Sequence, residues 1–198
     1  MEELRLIRPL EEQFEPDRCA EVRDLITKFS ALPFEGGACH YFTLEVAGCL
    51  EVGLLLAAVS VASVLLETFL RELLILHRLQ TREPTTGRQI DTMALFDSME
   101  KEIEDGCPHL HFDKIIDQLT GDVLDSGDAV NAKKFYKTVR IPIHHGITRR
   151  FIAIAKTGEV GWLDTYRGLR LQHLEQLIEE NATKYLGFIV DLIQKYTE

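Results

Sequence analysis

No stretch of this chain is apolar for long enough to cross a bilayer. Its longest uncharged run, Val52 to Leu66, is closed by Glu51 and Glu67, short of the ~17 to 25 residues that a spanning helix needs. A buried helix is the reading that remains, and no membrane partner is expected. The opening Met1-Glu2-Glu3-Leu4-Arg5 has neither the basic start nor the apolar stretch of a secretory signal, so the expected location is the cytoplasm. Cysteine is scarce, and Cys19, Cys39, Cys49 and Cys107 contain no Cys-x-x-Cys pair. Buried free thiols are therefore expected rather than a disulfide frame. Also missing are the P-loop, dinucleotide-binding, zinc-protease and nucleophile-elbow patterns, which lowers those four kinds of chemistry. No internal repeat or low-complexity segment occurs, and 6 Pro and 13 Gly in 198 residues exclude a collagenous or disordered chain.

With 45% hydrophobic residues, the chain can build a full core. Basic residues are in deficit, 22 Lys+Arg against 32 Asp+Glu for a formal net charge of −10. The field of the whole molecule therefore repels nucleic acid and anionic membrane, and any nucleic-acid contact must use a local basic patch.

Nearly every periodic stretch predicts helix. Asp17 can cap a first helix whose Ala20, Val22, Leu25, Ile26 and Phe29 fall near one face, and Pro33 with Gly36-Gly37 ends it. Residues 1–40 thus predict an N-terminal helix and loop preceding a bundle that occupies 43–198. From about Thr43 to Leu79 the sequence predicts one long helix, apolar almost all round and therefore central. Its length exceeds the usual globular helix, so either Gly53 interrupts it or a second subunit covers part of it; the N-terminal helix, through Leu25 and Phe29, is an alternative cover.

Thr81 to Thr92, with Pro84 and Gly87, predicts a loop. Two amphipathic helices follow, one from about Met93 to Glu104 and one using Phe112, Ile115, Ile116 and Leu119 up to Gly121. Asp128 then caps a helix through Val130, Phe135 and Val139, which Pro142 breaks about two residues past Arg140. Phe151 to Ala155 leaves helix and strand open. Leu169 to Tyr196 carries a clear helical stripe. The fold class is all-α, an up-and-down helical bundle with one long central helix and an N-terminal helical extension.

One segment departs from the acidic average. Lys133, Lys134, Lys137, Arg140, Arg149 and Arg150 have no acid between Lys133 and Arg150, and His144-His145 lie inside the run. The plain alternative is a solvated basic face that balances acids elsewhere. An all-α chain with a long helix rich in small residues ending Leu65-Leu66-Glu67-Thr68-Phe69-Leu70-Arg71-Glu72-Leu73, then Arg140-Ile-Pro-Ile-His144-His145-Gly146, then a final amphipathic helix, resembles the HEPN superfamily. Members carry an Arg, four to six residues and a His, commonly Arg-Asn-x-x-x-His-Gly. Arg140, His145 and Gly146 fit this pattern, over a resemblance that spans roughly residues 43–196. Ile141 stands where the Asn is frequent, Pro142 is atypical, and Ile147 replaces the Tyr that some family toxins carry. Arg71 to His77 and Arg167 to His173 satisfy the bare spacing too, but Arg71 and His77 sit on different faces of a predicted continuous helix.

The resemblance implies a metal-independent RNase working as a homodimer on single-stranded RNA without a cofactor, in a toxin or stress-response setting with an antitoxin or regulatory protein as partner. His145 would move protons at neutral pH, His144 is the second proton carrier, and Arg140 would stabilise the phosphorane-like transition state. Lys133, Lys137, Arg149 and Arg150 would hold the RNA backbone. Many proteins of this fold are catalytically silent, so a non-catalytic dimeric binding or scaffold module is the competing expectation. Cys107-Pro108-His109-Leu110-His111 holds ligand types suited to zinc, but the spacing matches no compact zinc motif, and no metal site is assigned. Trp162 and Tyr166 are read as packing a turn against the last helix.

Overall fold

The computed structural model describes residues 8–81, 94, 97, 98, 101, 111–144 and 171–197. The fold is the all-α helical bundle expected, and among the described residues no strand forms beyond an isolated bridge between Thr120 and Leu124. In chain order the elements are α1 (Leu10–Gln13), α2 (Pro16–Ser30), α3 (Gly37–Glu51), α4 (Leu55–Thr81), α5 (Phe112–Leu119), α6 (Ser126–Phe135), a π-helical turn (Tyr136–Arg140), α7 (Ile141–His144) and α8 (Leu171–Thr197). The loop expected after Thr81, Phe151 to Ala155, Trp162, Tyr166, Cys107 and His109 lie outside the described residues. So does most of the helix expected from Met93 to Glu104, of which Ala94, Asp97, Ser98 and Lys101 are helical.

The chain divides into two compact units, Met1–Leu66 with Lys137–Glu198, and Glu67–Tyr136. In the first unit α2 packs against both α3 and α8. Its N-terminus is set by Glu15 at the cap and Pro16 in the first turn, where the missing proline N–H costs nothing. Asp17 is the second helical residue rather than the cap, and its charge suits the positive end of the helix dipole. Cys19, Val22, Leu25 and Phe29 are buried, a stripe at helical spacing. Each of the last three is worth ~1.5 to 3 kcal/mol of burial. Polar groups tie the rim: Arg18 Nη1 donates to Thr183 Oγ1 (2.9 Å), Thr183 Oγ1 donates to Glu21 Oε2 (3.0 Å), and Lys28 Nζ lies 3.5 Å from Asp191. The N-terminal helix is thus part of the first unit's core, and it is the element that packs on α3.

The expected long helix is interrupted. Glu51 ends α3, Leu55 begins α4, and Gly53 between them has φ +73°, a left-handed conformation that glycine adopts without strain. Leu54 N–H closes the turn on Cys49 O (2.8 Å) and Gly53 N–H on Leu50 O (3.0 Å). From α1, Gln13 Nε2 donates to Val52 O (3.2 Å) and to Arg8 O. A Cβ at Gly53 would stand 2.5 Å from Gln13 Oε1. α3 starts earlier than predicted, at Gly37, and leaves Tyr41 and Leu44 exposed, as are Leu54 and Leu56 around the corner.

In the second unit α5 packs on α6. Phe112, Ile115, Ile116 and Leu119 are all buried, as their spacing predicts, and the Phe112 ring stacks on Tyr136 with centroids 4.2 Å apart. Gly121, at φ +93°, makes the turn that ends α5. The cap of α6 is Asp125, and Asp128 lies in its first turn. The buried positions are Ala129, Ala132 and Phe135, so Val130, one residue and ~100° away from that stripe, is exposed rather than inward. On the later turns of α4, Phe69, Leu70, Leu74 and Ile75 are buried, Arg78 Nη2 donates to Gln118 Oε1 (2.7 Å), and His77 Nε2 lies 3.6 Å from Asp122.

Candidate active site

The helix that carries Arg140 does not stop where Pro142 predicted. It widens into the π-helical turn Tyr136–Arg140 and then continues as α7 through His144. The physical reason lies in the backbone: Pro142 has no N–H to give to the carbonyl one α-turn earlier. Longer-range π bonding just before it accommodates that gap without unwinding the chain. Convergence of Arg140 with a following histidine therefore comes from helix geometry rather than from a broken backbone. Arg140 and His144, four residues apart, fall on the same face.

The two side chains have different surroundings. Arg140 is half-buried, behind buried Thr138 and Val139. His144 is exposed as a residue, yet its Nε2 lies 3.0 Å from Ser63 Oγ, and Ser63 on α4 is almost wholly buried. Ser63 Oγ also donates to Ser60 O at 2.7 Å, one turn back on its own helix. His144, Arg140 and Ser63 belong to the same compact unit. Along α4 itself the polar positions Ser60, Ser63, Glu67 and Arg71 recur at intervals of three and four residues, which puts them on one side of the helix. Glu67 is buried and accepts from Arg71 Nη2 at 2.5 Å.

Of the expected RNA-binding cations, Lys137 is exposed at the π-helical turn, as is neighbouring Lys134. Lys133 is half-buried and engaged: its Nζ donates to Asp117 Oδ1. That hydrogen bond, with the charges of Lys133 and Lys114, holds the Asp117 carboxyl below its ordinary pKa. Lys133 is thus spent inside the second unit, whereas Lys137 belongs to the first. His145, Gly146, Arg149 and Arg150 lie outside the described residues. The two competing Arg/His pairs fare differently. Arg71 is bound to Glu67 and His77 faces Asp122, so each is engaged elsewhere on its own side of α4. Arg167 is outside the described residues.

Among the described residues, no group of three or more His, Cys, Asp or Glu side chains is arranged to hold a metal ion, and no helix is long and apolar enough to cross a membrane. What the Arg140–His144 face offers is a permanent cation and an imidazole one helical turn apart. The cation can stabilise a developing oxyanion, and the imidazole can take up or release a proton near neutral pH. Ser63 is the residue that sequence reasoning missed. Its place in the Ser60–Ser63–Glu67–Arg71 row, which marks a polar side of α4, is the signal that could have found it. Compared with protein-family models, curated proteins and solved structures, the chain matches none of them.

Proposed function

We propose that this chain is a HEPN-like, metal-independent endoribonuclease that cuts single-stranded RNA and leaves 2′,3′-cyclic phosphate ends. The observation that carries the reading is the placement of Arg140 and His144 on one face at the end of a π-helical turn that also carries the exposed Lys137. An imidazole of the His144-His145 pair takes the proton from a ribose 2′-OH as that oxygen bonds to the adjacent phosphorus. The P–O5′ bond breaks, and the departing oxygen is protonated by an imidazolium. Arg140 stabilises the extra negative charge of the pentavalent transition state. The homodimer and an antitoxin or regulatory partner belong to the same proposal. A second reading, a catalytically inactive dimeric binding module in the same helical fold, is favoured by the net charge of −10 and by the capture of Lys133 by Asp117.

The two readings separate on cleavage of a mixed single-stranded RNA in EDTA by wild type, Arg140→Ala, His144→Ala and His145→Ala. The nuclease reading expects cleavage that is lost with Arg140 and with at least one histidine while the melting curve stays close to wild type. Equal cleavage by all four proteins would place any activity elsewhere.

A further inference from the structure

The hydrogen bonds around Ser63 bear on which ring nitrogen of His144 carries a proton. A serine hydroxyl has one hydrogen to donate. Ser63 Oγ lies 2.7 Å from the Ser60 carbonyl oxygen, an atom that can only accept, so the hydroxyl hydrogen points there. The 3.0 Å contact between Ser63 Oγ and His144 Nε2 must then have the ring as donor, with the serine lone pair accepting. The hydroxyl and its acceptor are both held by α4, on which Ser60 and Ser63 are successive residues of the polar row, and Ser63 is almost fully buried. The geometry points to Ser63 as a positioning residue that holds His144 as the Nε2–H tautomer, so that His144 exchanges protons through Nδ1.

This bond is indifferent to protonation. Neutral His144 donates from Nε2, and so does the imidazolium, so the ring gains or loses its proton at Nδ1 without releasing Ser63. A proton carrier held this way keeps one orientation through a catalytic cycle, which spares the cost of reordering the ring at each proton transfer. The role of Ser63 in catalysis rests on the ribonuclease reading, but the tautomer does not.

The test is a two-bond proton–nitrogen correlation spectrum of the 15N-labelled full chain above the His144 titration, with the His144 signals identified by their loss in His144→Gln. In wild type, the expected result is a protonated Nε2 with a solvent-protected proton and an unprotonated Nδ1. Ser63→Thr, which keeps the hydroxyl, retains that Nε2–H signal, and Ser63→Ala loses it to solvent exchange. A neutral His144 protonated at Nδ1 in wild type would overturn the inference, as would an Nε2–H signal that persists unchanged in Ser63→Ala. If the spectrum is as expected but the chain cuts no RNA, the ribonuclease reading fails and the tautomer assignment stands.

Discussion

Replacing Gly53 by alanine attacks the corner that separates α3 from α4. At φ +73° a side chain costs ~1 to 2 kcal/mol through the contact of Cβ with backbone. The new Cβ would also stand 2.5 Å from Gln13 Oε1, so Gln13 must move and its bond to Val52 O is lost, a further ~1 kcal/mol. Against this, alanine narrows the unfolded ensemble and returns ~0.4 to 1 kcal/mol. The net expectation is a loss of ~1 to 2.5 kcal/mol, which at a urea dependence of ~2 kcal/mol/M lowers the denaturation midpoint by ~0.5 to 1.2 M. Gln13→Ala alone should cost only its hydrogen bonds to Val52 O and Arg8 O. The double variant should cost less than the sum of the two, since the three atoms nearest the alanine Cβ all belong to the Gln13 side chain and are then gone. An unchanged or raised midpoint in Gly53→Ala would refute the reasoning. It would mean that α3 and α4 can merge into the single helix that residue spacing alone predicts, with no penalty at the corner.

Leu65, fully buried on α4, should cost ~2 to 5 kcal/mol as Leu65→Ala; a loss under ~1 kcal/mol in urea unfolding would contradict its placement in the core. On the nuclease reading, Lys137→Ala should weaken RNA binding and reduce the slope of log affinity against log salt by ~1. Lys133→Ala should change both less, because Asp117 already takes that charge; filter binding at several salt concentrations separates the two. The Asp117 carboxyl should titrate below its ordinary range, and Lys133→Ala should move its midpoint up, as read by NMR of the side-chain carboxyl. Because the folded-state pKa is the depressed one, the stability this pair contributes is present above the unfolded-state pKa. It is lost as pH falls through the lower, folded value.

Helix identity was legible where spacing was unambiguous. The α2 stripe through Val22, Leu25 and Phe29 and the α5 set Phe112, Ile115, Ile116 and Leu119 were predicted from period alone, and these side chains are buried. Caps were less legible, since Asp17 and Asp128 have the chemistry of cap residues but Glu15 and Asp125 occupy the caps. In the first case Pro16 decides, by fitting the first helical position. Val130 is apolar but one residue off the buried stripe of α6, a difference that a coarse count of apolar residues does not resolve. The π-helical turn was illegible for a physical reason: proline excludes one backbone hydrogen bond, and whether the chain answers by stopping or by widening depends on the packing that surrounds it. Of the candidate site, Arg140 and His144 could be named from the sequence, but the contact to Ser63 joins residues 81 positions apart and leaves no local trace.

The most direct test of the account is the mass of the 3′ ends produced when purified wild-type protein, in EDTA, is given a single-stranded RNA and the same strand with 2′-deoxyribose throughout. Attack by the 2′-oxygen predicts RNA fragments ending in 2′,3′-cyclic phosphate and an intact deoxy strand. Cleavage of both strands, or no cleavage of RNA by folded protein, would contradict it.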